Sequence, residues 1–270
     1  MIIDGHAHAA GDYVTAKSII AASKQYEFNK VVLCPSPKNN LNLKAPPNVP
    51  FMKSPSSIYL LNRTLRLAYK SFKDYGDGNK YVFEIKKEIP EMVIQFLWVN
   101  PLHPGHMDAL ERNIEDYRAS GIKLHQAWDS FAIDSGEFNE LAEVARAHKL
   151  PVFIHLYSKE ETRKLFLFAK ENREVVFIIA HMLGLDIFKE ECKSLPNIHF
   201  DTSGSERVRE KDIQEAIELF GYDHVIFGTD TPYARIEDQI CKIDRLQLNS
   251  TMKEHILSLN IMNVLSLNQR

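Results

Sequence analysis

Short apolar runs rich in β-branched residues recur along the chain, and segments with a different periodicity separate them. Eight of these runs have the length and composition of buried β-strands: residues 1–4, 30–34, 92–98, 121–125, 151–155, 175–180, 197–202 and 224–228. Between the runs, apolar residues recur at three- and four-residue spacing, which predicts helices over residues 13–27, 107–119, 137–149, 159–171, 206–220 and 235–248. The pattern therefore alternates strand and helix throughout.

This alternation predicts an α/β fold in which eight parallel strands close into a (β/α)8 barrel, the TIM barrel. The strand starts follow the spacing of a typical βα repeat, except that the second and third begin at residues 30 and 92. The second unit therefore carries an insertion over about residues 35–90, which is rich in proline at first and has a helical pattern over 58–72. Chain inserted after a strand lies at the barrel mouth, so we expect a lid there; a peripheral decoration or an oligomer contact is the alternative.

Length and composition are typical of one such domain spanning residues 1–270. Hydrophobic residues make up 44% and charged residues 26% of the chain, which is enough for a large core. The formal charge of −3 gives no overall positive potential that would attract nucleic acid or an anionic membrane. The three cysteines are far apart in the sequence, which is typical of proteins in a reducing compartment. We expect a soluble, cytoplasmic protein whose partner is a small-molecule substrate, with no nucleic acid and no membrane. Whether it forms a homodimer stays open.

Polar side chains stand where four of the predicted strands end. His6 and His8 follow the first strand two residues apart, so both imidazoles project to the same side of an extended backbone. His155 and His181 end the fifth and sixth strands, and Asp230 follows the eighth. Closing the barrel brings these ends around one axis. Neutral imidazoles and a carboxylate suit Zn²⁺, Mn²⁺ or Fe²⁺, so the pattern predicts a metal site at the barrel mouth.

The absence of cysteine from these positions favours a catalytic metal over a closed structural one. A bound divalent metal polarises oxygen atoms and activates water at neutral pH. Asp230 would then orient or deprotonate that water, and His181 would polarise a carbonyl group or transfer a proton. We expect one divalent metal, Zn²⁺ first, with Mn²⁺ and Fe²⁺ as alternatives.

The order of these residues along the barrel resembles the amidohydrolase superfamily. Several local phrases are similar to the group known as amidohydrolase 2: residues 4–8 (DGHAH), 121–125 (GIKLH), 178–184 (IIAHMLG), 200–204 (FDTSG), 226–233 (IFGTDTPY) and 256–265. The resemblance covers essentially the whole chain. It implies a metal held by His6, His8, His155 and Asp230, with His181 as a further ligand or as the residue that handles substrate and proton.

This group contains hydrolases of amide, ester or lactone bonds and non-oxidative decarboxylases of aromatic acids. Our first hypothesis is a metal-dependent hydrolase of a small, carboxylate-bearing substrate. The alternative is a metal-dependent decarboxylase, a lyase acting on an aromatic or enoic acid. A nuclease resembling the TatD group is less favoured because the chain lacks that group's Gly-Glu-x-Gly-Leu-Asp phrase. A phosphoesterase of the histidinol-phosphatase type would need a late Asp-x-His, and a non-catalytic barrel would be expected to have lost a ligand.

Six further side chains near strand ends are candidate substrate contacts: Trp98, Lys123, His125, Trp128, Arg207 and Tyr233. Lys123 and His125 are two residues apart on the fourth strand, so both face the barrel interior if one does. In binuclear relatives a carboxylated lysine on this strand bridges two metals, but we expect one metal here, with Lys123 paired to an inward carboxylate or a substrate anion. Arg207 would meet a substrate carboxylate. Asp4 has the same parity as His6, so we expect it to support the site by a hydrogen bond or to pair with Lys123.

Overall fold

Eight parallel strands pair in chain order, from the first to the eighth, in this computed structural model, which describes residues 1–36, 41, 58–69, 77–190, 195–204 and 207–266. The strands are β1 (Ile3–His8), β2 (Lys30–Cys34), β3 (Val93–Trp98), β4 (Gly121–His125), β5 (Val152–His155), β6 (Phe177–Ile179), β7 (Ile198–Asp201) and β8 (Val225–Ile226). The predicted (β/α)8 barrel is confirmed. The first strand was predicted too early, because Met1 is exposed and the buried strand runs on through both histidines.

Helices follow the strands along the chain. They are α1 (Ala16–Tyr26), α2 (Ile58–Tyr69), α3 (Gly78–Glu88), α4 (Pro104–Asp116), α5 (Gln126–Asp129), α6 (Gly136–Ala147), α7 (Lys159–Glu171), α8 (Leu185–Glu190), α9 (Glu210–Phe220), α10 (Ile236–Arg245), α11 (Ser250–Glu254) and α12 (Asn260–Ser266). All six helices predicted between the strands are present. The helix predicted over 107–119 starts three residues earlier, because Pro104 takes its first turn, where the missing N–H of proline costs no hydrogen bond.

The helix α3 was not predicted, because its segment follows the proline-rich stretch and was assigned to the insertion. Val82 and Ile85 of this helix pack with Val31 and Val93 of the neighbouring strands, so α3 is the ordinary outer helix of the second βα unit. The additional chain therefore precedes it. Of that chain, residue 41 and the helix α2 are described; the remainder of the predicted lid, residues 37–40, 42–57 and 70–76, lies outside the described residues.

The barrel closes where β1 meets β8. The Gly5 N–H donates to Phe227 O at 2.8 Å, and the His8 N–H donates to Thr231 O at 2.8 Å. A Cβ atom on residue 5 would lie 2.7 Å from Phe227 O and 2.7 Å from a methyl carbon of Ile226, so this approach requires glycine. Closure therefore places the two ends that carry the predicted ligands side by side.

Large apolar side chains fill the barrel below its mouth. One buried cluster contains Ile3, Val32, Phe96, Phe153, Ile178 and Ile226, together with Ile261 and Val264 from α12. The helix α12 thus packs on the strands, and apolar side chains form a packed core inside the barrel. Among the residues that the structure describes, no helix is long and apolar enough to cross a membrane.

Candidate metal centre at the barrel mouth

Three of the predicted ligands converge where β1 and β8 end. The Nε2 atoms of His6 and His8 lie 3.6 and 3.5 Å from Asp230 Oδ1, and all three side chains are buried. These separations exceed an ordinary hydrogen bond. Donor atoms bound tetrahedrally at about 2.1 Å from Zn²⁺ would be roughly 3.4 Å apart. The spacing of these atoms therefore fits a metal ion held among them.

The outer nitrogen of each of these imidazoles is anchored to the protein. His6 Nδ1 lies 3.1 Å from Asp201 Oδ2 and 3.0 Å from Ser203 Oγ, and His8 Nδ1 lies 2.8 Å from Pro35 O. Carboxylate and carbonyl oxygens only accept hydrogen bonds, so both Nδ1 atoms carry the proton. The lone pairs are left on the Nε2 atoms that face Asp230, which is the arrangement typical of metal-binding histidines.

Lys123 places a cationic group at this centre. Its Nζ lies 2.9 Å from His6 Nε2 and 4.1 Å from the centre of the Phe153 ring. Lys123 was expected to pair with an inward carboxylate or a substrate anion, and in the structure this ring nitrogen is its partner instead. The Lys123 ammonium group donates to the His6 lone pair that a metal would use, so it occupies the direction from which a metal ion would bind this ring. The types of donor atom, their orientation and this contact all fit a divalent metal.

Burial and neighbouring charges together set the protonation states of the site. Burial would raise the pKa of Asp230, but neighbouring groups, among them the Arg207 guanidinium that donates to its Oδ2, outweigh it, so the pKa lies below its usual value and the carboxylate is ionised. Burial, aided by Lys123 near His6 and by Arg207 near His181, lowers the pKa of both histidines well below 6.5. They are therefore neutral, the form in which imidazole binds metals.

Asp4 supports the site from below. Its carboxylate accepts hydrogen bonds from the Thr229 backbone N–H at 2.9 Å, the Thr229 hydroxyl at 2.7 Å, Tyr13 Oη at 3.1 Å and the His6 N–H at 3.2 Å. Burial raises the pKa of this carboxyl to about 7 despite those bonds. Asp4 thus ties β1 to the residues after β8, and the supporting role expected for it matches these contacts.

His155, the remaining predicted ligand, lies to the side of this cluster. Its Nε2 is 3.0 Å from Asn62 Oδ1, and its ring stacks on that of His125 with centres 4.0 Å apart. It is nevertheless close to the centre, because its ring centre lies 5.1 Å from that of His181. The structure therefore brings three predicted ligands together and holds the fourth on another partner.

His181, predicted as catalytic, sits between the metal cluster and Arg207. Its Nδ1 lies 2.9 Å from Ser203 Oγ, and its Nε2 lies 3.7 Å from Asp230 Oδ2 and 3.4 Å from Arg207 Nη1. Both His181 and Asp230 have left-handed backbones, with φ of 54° and 59°. Non-glycine residues held in this region cost folding energy, and they concentrate at functional sites.

Arg207 was predicted to meet a substrate carboxylate, and here its Nη1 donates to Asp230 Oδ2 at 3.0 Å. The side chain remains 20% exposed, so the guanidinium is at the boundary between the buried centre and the mouth.

The other predicted contacts form one aromatic wall. The ring of Trp98 is parallel to that of His125, with 5° between the planes and 5.7 Å between the centres. Trp128 meets both rings edge-on, and Tyr233 meets the His8 ring edge-on at 5.5 Å. Trp98 Nε1 donates to Asp129 Oδ2 at 2.9 Å, which fixes the indole in the wall.

Several residues of the site were missed by the sequence reading. Asp201 joins His6, Ser203 and the His181 N–H, and burial raises its pKa to about 6. Its position at the end of β7 was a usable signal, because the predicted ligands also lie at strand ends or shortly after them. Asn62 had no such signal: it lies on α2, and only the folded chain brings it to the barrel mouth.

Comparisons with known proteins agree with this geometry. The family model for amidohydrolases matches residues 3–267. The chain belongs to the amidohydrolase family. The resemblance read from the sequence is thus confirmed, and with it membership of a family of metal-dependent barrel enzymes. A search of curated protein sequences found no match.

Solved structures of amidohydrolase folds match over nearly the full length. A 2,6-dihydroxybenzoate decarboxylase from Rhizobium has 14% identity and a TM-score of 0.70, with 99% of each chain covered. A dihydroxybenzoic acid decarboxylase from Polaromonas with bound manganese and the inhibitor 2-nitroresorcinol has 16% identity, a TM-score of 0.69, and coverage of 100% of this chain and 98% of that one. A 4-oxalomesaconate hydratase from Rhodopseudomonas palustris has 16% identity, a TM-score of 0.65, and coverage of 100% and 97%. At these identities the matches show a shared fold.

Proposed function

We propose that this amidohydrolase-family protein is a metal-dependent non-oxidative decarboxylase of a small planar acid, aromatic or enoic. The observation that carries the proposal is the aromatic side of the site: the Trp98 ring stacks on His125 and lies beside His8, and the Arg207 guanidinium is at the edge of the same site. Aromatic rings suit a planar substrate, and a guanidinium suits a carboxylate. The named activities of two structural neighbours, both decarboxylases of hydroxylated benzoates, support the same substrate class.

The engagement of Asp230 favours decarboxylation over hydrolysis. Its Oδ1 faces the two histidine Nε2 atoms, and its Oδ2 accepts a hydrogen bond from Arg207. A hydrolase of this type would need a carboxylate oxygen free to take a proton from water. Here Oδ2 already accepts from Arg207 and Oδ1 would bind the metal. Together with the named activities of the neighbours, this leads us to rank the lyase above the hydrolase that was our first hypothesis.

The metal would be held by His6, His8 and Asp230, with His155 as the remaining candidate. When bound, it supplies positive charge that attracts an anionic substrate and stabilises negative charge developing on it. The buried, ring-lined mouth excludes water from the substrate. Arg207 orients the acid. His181 is neutral, and its Nε2 faces the centre, so this nitrogen is a proton acceptor beside the substrate.

Decarboxylation breaks the bond between the ring carbon and the carboxylate, and a proton from solvent takes the place of CO₂ on that carbon. His181 is placed to relay this proton, because its Nδ1 is already anchored by Ser203 while its Nε2 faces the site. Replacing His181 by Asn should therefore lower turnover far more than it lowers metal affinity.

The test uses protein loaded with Zn²⁺ or with Mn²⁺, and panels of hydroxybenzoates, enoic acids, lactones and amides. In heavy-oxygen water and in D₂O, the proposal predicts CO₂ release and one solvent deuteron on the carbon that lost the carboxylate, with no solvent oxygen in the product. Solvent oxygen in the product of a lactone or an amide, without release of CO₂ from any acid, would establish the hydrolase instead. The His181→Asn variant serves as the control for chemistry at this site.

A further inference from the structure

The insertion helix α2 reaches the metal centre through one side chain. Asn62 is fully buried, and its Nδ2 donates to Leu156 O at 2.9 Å and to Tyr157 O at 3.3 Å, just after β5. Its Oδ1 lies 3.0 Å from His155 Nε2. An asparagine from the insertion thus holds the predicted ligand that the cluster lacks.

The hydrogen bonds of Asn62 determine which nitrogen of His155 carries the proton. Because Nδ2 is committed to two backbone carbonyls, the atom that faces His155 is the amide oxygen, which only accepts. His155 Nε2 must therefore be the donor, and the lone pair of this neutral imidazole is on Nδ1. His6 and His8 have the opposite tautomer, with the lone pair on Nε2. His155 is thus held in the one state in which Nε2 cannot bind a metal.

The position of Asn62 depends on how α2 docks. Tyr59 and Arg66 lie on the same face of this helix, three residues before Asn62 and four after it. Tyr59 Oη is 2.9 Å from Thr162 Oγ1, and the Arg66 guanidinium lies 3.4 Å from the centre of the Tyr157 ring. Arg66 Nη2 also donates to Gln126 O at 2.6 Å. These contacts hold the amide against His155.

We propose that Asn62 is a positioning residue that keeps His155 from the metal while α2 is docked. The metal would need a lone pair on His155 Nε2, whereas the hydrogen bond to Asn62 needs a proton there, so the two compete for the same atom. Competition of this kind is reciprocal. The hydrogen bond of Asn62 lowers the affinity for the metal, and the bound metal weakens that hydrogen bond by the same factor. One hydrogen bond of this kind changes affinity about three- to tenfold. This inference rests on the metal centre proposed above but not on the reaction.

A double-mutant cycle on metal affinity tests it. Asn62→Leu, His155→Ala and the double variant are compared with the wild-type chain by Zn²⁺ competition with a chromophoric chelator. Asn62→Leu should tighten Zn²⁺ binding three- to tenfold in the wild-type chain and leave it unchanged when residue 155 is alanine, because the effect acts through His155. Asn62→Ser, whose hydroxyl is too short to reach His155, should behave like Asn62→Leu and serves if the leucine variant does not fold.

The tautomer provides a second measurement that needs no metal. NMR of metal-free protein labelled with ¹⁵N-histidine reports the tautomer of each imidazole. The wild type should give a signal of the Nε2–H tautomer for His155. This signal should be absent in His155→Ala and shifted in Asn62→Leu. Unchanged or weaker Zn²⁺ binding in both Asn62 variants, an equal gain without His155, or an Nδ1–H signal for His155 would overturn the proposal. A wild-type chain whose Zn²⁺ binding is insensitive to His8→Ala would overturn the metal centre itself, and this inference with it.

Discussion

Replacing Asp201 by asparagine is the sharpest perturbation of the support around the metal centre. Asp201 Oδ2 accepts hydrogen bonds from His6 Nδ1 at 3.1 Å, from the His181 N–H at 3.2 Å and from the Ser203 hydroxyl, while Oδ1 accepts from the Ser203 N–H at 3.0 Å. Donors thus surround both oxygens. Asparagine removes the charge and turns one oxygen into an NH₂ group facing a donor, so the orientation of His6 is lost.

The expected magnitude follows from that contact. A hydrogen bond between an imidazole N–H and a carboxylate is worth about 1.5–3 kcal/mol. If this energy supports His6 as a ligand, Asp201→Asn should weaken Zn²⁺ binding roughly 10- to 150-fold. This range overlaps the losses seen when partners of metal-binding histidines are removed.

Chelator competition measures the effect, with thermal unfolding to show that the variant folds. The matched control is Asp212→Asn, a buried aspartate whose two oxygens both accept hydrogen bonds from the Arg209 side chain at the start of α9. The control should keep wild-type Zn²⁺ affinity. Equal affinity of Asp201→Asn and the wild type would refute the argument that Asp201 orients His6 for a metal.

Three further predictions test other parts of the account. Gly5→Ala should destabilise the fold by about 1–3 kcal/mol in urea unfolding, because its Cβ would clash with Phe227 O, whereas Gly136→Ala, which meets nothing within 4 Å, should not. Arg207→Met should raise KM for the acid substrate about tenfold, because a guanidinium binds a carboxylate strongly, and KM is measured with Zn²⁺ in saturating excess since Arg207 also donates to Asp230; an unchanged KM would remove Arg207 from substrate binding. Burial lowers the pKa of His199 to about 3. Below pH 6.5 this histidine is therefore protonated in the unfolded chain and neutral in the folded chain, so the free energy of unfolding falls with pH. Between pH 7 and pH 5 the wild type should lose up to about 2 kcal/mol more of this free energy than His199→Asn does, as measured by urea unfolding; an equal loss in both proteins would contradict the prediction.

The fold was largely predictable because periodicity in the chain reports burial directly. Strands that are buried on both faces have unbroken apolar sequences, and their alternation with amphipathic helices predicted the (β/α)8 barrel. The main element that was not predicted is the helix α3. Its apolar positions, including Val82 and Ile85, were there to be read, but its location beyond the proline-rich stretch led to its assignment as inserted chain.

The site was predictable where it depends on strand ends and not where it depends on packing between distant segments. The proximity of His6, His8 and Asp230 was predictable because parallel strands end at one mouth. The partner of Lys123 and the contact of Asn62 with His155 are set by side-chain directions that no local pattern encodes. The proposed ranking of decarboxylase above hydrolase also draws on the folded chain, since the rings of Trp98 and His125 come together only there.

The central claim is a metal centre of His6, His8 and Asp230 at the barrel mouth. Anomalous diffraction from crystals of Mn²⁺- or Zn²⁺-loaded protein tests it most directly. The account predicts one ion bonded to Nε2 of both histidines and to Oδ1 of Asp230, with the Lys123 ammonium displaced from His6. An ion bound elsewhere, or crystals of fully loaded protein with no anomalous peak among these three side chains, would contradict it.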